Sequence, residues 1–392
     1  MTDPLSGPSA HLTPGHEEFR ASVRTFFRKE VVPYAAEWER RRAMPRSAWH
    51  AFAAEGLLGL NHPTSVGGAG LDIFHSVVFL EELGRTGFGG VRFAVALHAY
   101  MGTSYLATNG SPELQQRYLR PAVAGDLIAG LAITEPQAGS DLGRLEATAV
   151  EDGDHLVVDA EKRFVVNGGF ADFFVTAVRT GEPRSRAGQG NLTLLVVDRT
   201  AEGVHVLPND SIAWRACAMA DVSMRGVRVP KENMIGRRNS GFVQIMKNMQ
   251  LERLAAGISA VGDAANCLDL TWRHLKNRAM FESTLSAKQA VRHTMADLLT
   301  EVEAARHLTH HAAWSYARDP LSITACSMAK LKATEVARTV AEECRHLHGS
   351  EGFREGAPIV QAAHDAQAAT VAAGASEVMR DIVVQSGYEE LP

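Results

Sequence analysis

The chain is short of the features that mark specialised classes. It has four cysteines in 392 residues, Cys217, Cys267, Cys326 and Cys344, spread far apart with no CxxC pair. Neither a zinc knuckle nor a disulfide framework is indicated, and a reducing compartment fits. No charge sign dominates: 40 Lys+Arg stand against 45 Asp+Glu, for a net charge of −5, with no long basic run. Nucleic acid and anionic membrane surfaces are therefore poor principal partners. No stretch of 18 apolar residues is present, so no membrane insertion is expected. The first ten residues lack the basic start and apolar core of an export signal, which makes a cytoplasmic location the expectation. No internal repeat is evident. What remains, with 45% hydrophobic and 22% charged residues, is a globular composition long enough for two or three domains.

Apolar residues recur at helical spacing from Pro14 to about Leu119, as in Phe19, Val23 and Phe26, then Trp49, Phe52 and Leu57, then Phe74, Val77, Val78 and Leu83. Ser111 before Pro112 predicts an N-cap with proline in the first turn. Gly67-Gly68-Ala69-Gly70 reads as a turn, because the preceding Asn61-His62-Pro63-Thr64 is no buried strand leading into a dinucleotide loop. From about 128 to 235, β-branched runs at 156–158, 164–166, 173–178, 192–197 and 222–229 predict a small antiparallel β domain, with an exposed hairpin loop over 180–191. After Gly241 the helical period returns in Phe242, Ile245, Met249, Leu254, Ile258 and Val261. Further helical stretches are predicted over 285–317, 322–347 and 359–385, packed as a bundle. The expected fold class is α+β, mainly α, with an N-terminal helical domain over 1–127, a middle β domain over 128–236 and a C-terminal helical bundle over 237–392.

Two segments have compositions that packing alone does not explain. Residues 131–141 run from an apolar strand into a turn dense in Thr, Gly and Ser, whose amides and hydroxyls could face a polar heterocycle or phosphate; an ordinary strand-end turn reads equally well. Leu251-Glu252-Arg253-Leu254 places an acid inside a strongly apolar helix, where a glutamate paired with Arg253 or a residue one turn away is the simpler reading of the residues alone. His307, His310 and His311 share a helical face, as metal ligands can, but neighbouring helix histidines are more often solvated or satisfied in the core, and no metal is expected. Arg40, Arg41, Arg42 and Arg46 read as a solvated helix end, with contact to a carrier protein or a CoA phosphate as the alternative.

In order along the chain stand Ala132-Ile133-Thr134-Glu135-Pro136 with Ala138-Gly139-Ser140-Asp141, then Lys162-Arg163-Phe164-Val165-Val166-Asn167-Gly168 with Ala171-Asp172. Val229-Pro230 with Asn233 and Gly236 follow, then Glu252-Arg253-Leu254, and Arg278 with Phe281 and Gln289. The series closes with Ser327-Met328-Ala329-Lys330, His348-Gly349 with Gly352-Phe353, and Gly374 with Ser376-Glu377. This series in register resembles the acyl-CoA dehydrogenase family from about Thr13 to Gln385.

The resemblance implies an FAD enzyme that desaturates an acyl thioester between its α and β carbons: a glutamate removes the α-proton and the flavin N5 accepts the β-hydride. Electrons then leave to an electron-transfer flavoprotein or a similar acceptor, and the assembly is a homotetramer or a dimer. Most relatives carry the base directly before the glycine of a C-terminal Gly-Thr-Ser-Glu motif, where this chain has Ala373. The isovaleryl-CoA dehydrogenase branch likewise has a small residue there and places its base in a Leu-Glu-Arg-Leu sequence, which makes Glu252 the implied base. The resemblance puts Leu251, Arg253, Ser140, Ala373 and Gly374 against the substrate, with the backbone N–H of Ala373 as a donor to the thioester oxygen. Around FAD it puts Leu131, Ala132, Ile133, Thr134, Ser140, Phe164, Val165 and Val166, then Arg278, Phe281 and Gln289. His346, Leu347, Gly349, Ser350, Ala375, Ser376 and Glu377 complete that set, partly across a subunit boundary. On the residues alone, Arg278 could be a plain surface arginine and Phe164 a core aromatic, the commoner fate of that residue type.

Departures from the family pattern limit the transfer. Val166 and Ala375 stand where relatives have threonine, His346 where they have glutamine, and Ser350 and Glu282 where they have glycine. Each lost hydrogen bond is worth about 0.5 to 1.5 kcal/mol, so weaker FAD retention is expected. Residues 214–221 are also unusual for the family but imply no substrate. The expected substrate is a short or branched acyl-CoA, or an acyl group on a carrier protein. The alternatives are a flavin monooxygenase on the same fold and a non-catalytic partner subunit of a dehydrogenase.

Overall fold

The structure, a computed structural model, describes residues 9–181 and 191–389. The chain folds as two compact units, one made of the chain up to Pro33, Ile73–Arg92 and Gln250–Pro392, the other of Tyr34–Asp72 and Phe93–Met249.

The first unit is helical. Its elements are α1 (Pro14–Phe26), α2 (Ile73–Arg85), α3 (Gly241–Asn277, which enters the unit at Gln250), α4 (Gln289–Arg318), α5 (Ile323–Leu347), α6 (Pro358–Ala369) and α7 (Ser376–Val384). Val261, Leu268, Val302, Val336, Val340 and Ile359 meet in its core. A buried ionic network joins α1, α2 and α4: Arg20 donates to Glu81 and Glu82 at 2.9 Å each, and Glu81 also accepts from Arg306 at 3.3 Å. His310 belongs to this network, with Nε2 2.7 Å from Glu81 and Nδ1 2.8 Å from the Ser9 hydroxyl. His307 pairs instead with Glu303 and His311 stacks on Trp314, so the three histidines are engaged in separate contacts.

The helical stretch expected over 359–385 is in fact two helices, α6 and α7, broken by a loop over 370–375. Its alanine-rich sequence favours helix, yet Ala373 has φ +53° and Gly374 has φ +100°. Both values lie outside any right-handed helix. The φ of +100° at 374 is one that glycine adopts readily and other residues rarely do, and a Cβ there would also have to displace the Met379 methyl, 2.6 Å away.

The second unit contains an eight-stranded sheet. Its strands are β1 (Ala129–Ala132), β2 (Thr148–Asp152), β3 (His155–Val165), β4 (Phe173–Arg179), β5 (Leu192–Asp198), β6 (Val204–Pro208), β7 (Ala220–Pro230) and β8 (Met234–Ile235). The order is β6-β7-β3-β2-β4-β5-β8, with β1 against β4. The sheet is mixed and not purely antiparallel as expected, because β1 runs parallel to β4, from Ala129 opposite Phe173 to Ala132 opposite Thr176. Such a pair needs a long crossover, here supplied by residues 133–172. β4 is buried on both faces, which is why its sequence shows no polar alternation. Phe173, Val175 and Ala177 pack with Tyr105 and Leu119, while Phe174 and Val178 pack with Val158 and Val227. The expected 180–191 hairpin is consistent with the antiparallel β4–β5 pair and the Thr180 N–H to Asn191 carbonyl bond of 3.0 Å, but 182–190 lie outside the described residues. Ser111 caps the turn at Pro112 through the Leu114 N–H, and Gly67 and Gly70 turn with φ +88° and +62°. No helix among the described residues is long and apolar enough to cross a membrane.

Two buried imidazoles hold this unit together. His98 donates from Nε2 to the Ala122 carbonyl at 3.0 Å and accepts the Ala129 N–H at Nδ1 at 3.2 Å, so the neutral tautomer fixes the first residue of β1. His62 lies 2.9 Å from the Thr103 hydroxyl. Burial pushes both imidazoles from 6.5 down to about 4. Because the unfolded chain binds these protons and the fold does not, the stability they contribute is complete above pH 6.5 and is lost as pH falls towards 4, on the order of 3 kcal/mol per ring. His98→Asn should flatten the slope of unfolding free energy against pH in that window, measured by urea titration; an unchanged slope would contradict this linkage.

Candidate active site

In the β unit, the candidate cofactor residues converge at the ends of β1 and β3. The Arg163 N–H donates to the Thr134 carbonyl at 2.9 Å, which draws residues 131–134 alongside 163–166. The β3–β7 register shifts between Lys162 and Val165. A bulge of this kind re-aims side chains, and within β3 Phe164 turns outward with φ +53° and 59% exposure while Val165 and Val166 are buried. Leu131, Ile133 and Thr134 are half-buried, Ala132 is fully buried, and Ser140 lies exposed in the turn that follows. Residues 214–218 buttress this region: Cys217 and Ala218 accept the Asn167 and Gly169 N–H groups at 2.8 Å each. The Asn167 side chain donates to the Ala94 and Ala129 carbonyls.

The turn itself is organised by Lys162, whose role the sequence pattern does not reveal. The Lys162 ammonium is completely buried and uses its three N–H bonds on the Ile133 carbonyl (3.1 Å), the Ala177 carbonyl (2.7 Å) and Glu135 Oε1 (2.6 Å). Glu135 in turn accepts the backbone N–H groups of Glu146 (2.6 Å) and Ala147 (3.1 Å). Burial lowers the Lys162 ammonium to about 8 against the opposing pull of Glu135. The arginine cluster also proved partly structural. Arg40 and Arg41 pair with Glu37 on the surface, whereas Arg46 forks onto Asp172 at 2.8 and 2.9 Å, and Asp172 accepts the Ile128 N–H that leads into β1.

In the helical unit, the candidate residues fall into two groups. The first surrounds the 370–375 loop. Glu252 and Arg253 are buried on α3, with Leu251 half-buried. Arg253 donates to Gln250 (3.1 Å) and Ser327 (3.3 Å), and its Nε, with no hydrogen-bond partner among the described residues, lies 3.9 Å from where a Cβ on Gly374 would stand. Ala373, Gly374 and Ala375 are half-buried, Ser376 is buried and donates its N–H to Thr370, and Glu377 is exposed in the first turn of α7. Ala375 is the N-cap of α7 and offers no side-chain bond, a cap worth about 1 kcal/mol when Ser or Thr supplies it.

The second group lies at the far end of α3, whose stretch from Glu252 to Asn277 spans about 37 Å. Arg278 and Phe281 sit on a short hairpin there and Gln289 opens α4; all three are exposed, with Phe281 89% exposed at φ +57°. The Arg278 guanidinium has no ion-pair partner among the described residues. His274 near the end of α3 stacks on His348 at 4.4 Å, which brings the end of α5 here: His346, Gly349 and Ser350 exposed, Leu347 half-buried.

Sequence models of the acyl-CoA dehydrogenase N-terminal, middle and C-terminal domains match residues 13–126, 130–227 and 239–388. The chain belongs to the acyl-CoA dehydrogenase family. It is 32% identical to the long-chain specific acyl-CoA dehydrogenase of pig mitochondria over 94% of this chain and 86% of that one. It is 30% identical to the short-chain specific acyl-CoA dehydrogenase of Clostridium acetobutylicum over 95% and 98%. The crystal structure of an acyl-CoA dehydrogenase from Geobacillus kaustophilus superposes with a TM-score of 0.92 at 33% identity, covering 97% of this chain and 99% of that one. Members of the family are FAD-binding oxidoreductases acting on CH–CH bonds, and FAD-dependent acyl-CoA dehydrogenation is the general activity.

The residues present fit such a group. An exposed aromatic held rigidly at a strand end beside half-buried Leu131 and Ile133 is a surface suited to cover by a flat heterocycle, and a free exposed guanidinium at 278 suits a diphosphate. Phe164, Phe281 and Ala373 are three of the eight non-glycine residues with positive φ among the described residues, and such strain concentrates at functional sites. Because the Lys162–Glu135 pair supports the first of these surfaces, Lys162→Met should cost about 3 to 5 kcal/mol in urea unfolding by leaving Glu135 buried without its cation. Adding Glu135→Gln should recover part of that loss; no recovery would mean that the charge is not what matters.

Proposed function

We propose that this acyl-CoA dehydrogenase oxidises a short or branched acyl thioester, carried on CoA or on a carrier protein, with Glu252 as the α-proton base. The single observation carrying the reading is that Glu252 is buried on α3, next to an arginine packed against Gly374, in a chain with alanine at 373 where most relatives have their base. The Leu251-Glu252-Arg253-Leu254 sequence and the small residue at 373 support placing it with the isovaleryl-type branch. Near-equal identity to long-chain and short-chain relatives does not discriminate chain length, so the acyl preference rests on that branch.

In this reading the Ala373 N–H donates to the thioester oxygen and withdraws charge as the α-carbon loses its proton to Glu252. Preorganised donors of this type contribute about 3 to 4 kcal/mol each. Glu252 is buried, so bulk water does not compete with the substrate for its carboxylate. Arg253 orients the loop and the acyl end, and Ser140 and Leu251 line the substrate. FAD, when bound, supplies the two-electron acceptor for the β-hydride.

Leu131, Ala132, Ile133, Thr134, Phe164, Val165 and Val166 would hold the isoalloxazine. Arg278, Phe281, Gln289, His346, Leu347, Gly349 and Ser350 belong to the far end of α3, about 37 Å along that helix from Glu252, which supports their serving the flavin of a neighbouring protomer in a homotetramer or dimer. Ala375, Ser376 and Glu377 complete the set near the loop. The matched segments support domain limits near 127 and 236. Four buried cysteines, none in a disulfide among the described residues, suit a reducing cytoplasm. An electron-transfer flavoprotein or similar acceptor would take the electrons.

Glu252→Gln should keep its yellow cofactor and lose about 10²-fold or more in the rate of anaerobic flavin bleaching by isovaleryl-CoA, isobutyryl-CoA or butyryl-CoA. Bleaching at the wild-type rate would remove Glu252 from the chemistry.

A further inference from the structure

The loop that carries Ala373 is held from beneath by a lysine to which nothing above gives a task. Lys330, on α5, is fully buried. Its ammonium donates to the carbonyl of Thr370 at 3.0 Å and to that of Gly374 at 2.6 Å, the two ends of the irregular segment. Among the described residues no carboxylate lies within ion-pair distance of this cation, and burial pulls it from 10.5 down to about 8, with Glu335, Arg253 and Glu377 the charges that act on it. A buried ammonium without a counter-ion is costly to keep, which argues for a specific task.

That task is legible in the loop. Val371 and Ala372 return their N–H groups to Ala368, and the Ser376 N–H reaches Thr370, but the Ala373 N–H has no acceptor among the described residues. Ala373 and Gly374 are consecutive left-handed residues, and strained backbone of this kind persists only where its surroundings hold it. Gly257 lets α3 approach the backbone of Ala329 and Lys330, a Cβ there standing 3.3 Å from both, so the same contact brings Arg253 to the loop and the lysine beneath it.

We propose that Lys330 is a positioning residue: by clamping the Thr370 and Gly374 carbonyls it holds the unengaged Ala373 N–H in the direction from which it meets the thioester oxygen. The inference rests on the reading of Ala373 as donor and Glu252 as base. Its charge-assisted bonds do for this loop what a side chain cannot do from within it, because residue 373 contributes only a methyl group.

The test uses the FAD-loaded enzyme carrying Lys330→Met, with Lys330→Gln as the milder variant should the first not fold and Lys330→Arg as the conservative one. Amide exchange over peptide 370–376, read by mass spectrometry without substrate, should accelerate at least tenfold in Lys330→Met and less in Lys330→Arg. With whichever of isovaleryl-, isobutyryl- and butyryl-CoA the wild type oxidises, kcat should fall tenfold or more while KM changes less than threefold and FAD content is kept. Wild-type exchange over 370–376 overturns the clamp outright, as does loosened exchange with unchanged kcat. If Lys330→Met behaves as wild type while Glu252→Gln is inactive, the clamp alone fails. If Glu252→Gln keeps its turnover while Lys330→Met loosens the loop and loses kcat, the base assignment fails and the clamp stands.

Discussion

The donation of buried lysine ammonium groups to backbone carbonyls is the interaction on which the candidate site depends. Regular helices and strands satisfy their own polar groups, but a site needs backbone that departs from them, and departing backbone leaves carbonyls to be satisfied in the interior. Here Lys162 gathers the carbonyls of Ile133 and Ala177, and Lys330 those of Thr370 and Gly374. The two differ in charge balance. Lys162 has Glu135 at 2.6 Å, whereas the partners of Lys330 are neutral. The first is a structural pair that lets a strand end in a turn; the second is the more costly and the more easily tied to chemistry.

Neighbouring devices serve the same end in each unit. In the sheet, His98, Asn167 and Asp172 fix the start of β1 through single directional bonds, while a register shift in β3 turns Phe164 outward. In the bundle, Gly257 lets α3 pack closely on the backbone of Ala329 and Lys330, and Gly374 adopts a φ of +100°. Large buried cores supply the stability against which strained residues can be maintained, and left-handed φ at Phe164, Phe281 and Ala373 marks where it is spent.

Much of the architecture was legible in the sequence, because hydrophobic period reports burial directly: the long helices from Gly241 onward and the strand runs at 173–178 and 192–197 fall where the pattern puts them. The parallel pairing of β1 with β4 was not, since a strand buried on both faces carries no alternation to betray its neighbours. The break at 370–375 was hidden for a different reason: alanine is the best helix former, and the bond from Lys330 to the Gly374 carbonyl comes from 44 residues away in the chain. Of the site, Glu252 and the 131–141 turn stood out by composition. Lys162 and Lys330 did not, because their roles lie in contacts far away in sequence, and a lysine in an apolar stretch reads the same whether it points to water or to a carbonyl; Arg46 stood out only as part of a basic cluster, with no sign of its pairing with Asp172.

The central claim, that Glu252 takes the α-proton while the Ala373 amide steadies the resulting charge, is tested most directly by proton exchange. Saturated isovaleryl-, isobutyryl- and butyryl-CoA are incubated anaerobically in D2O with wild type and with Glu252→Gln, and deuterium at the α-carbon is followed by NMR. The account predicts incorporation with the wild type and a loss of at least about a hundredfold in the variant. Incorporation at equal rates in both would contradict it.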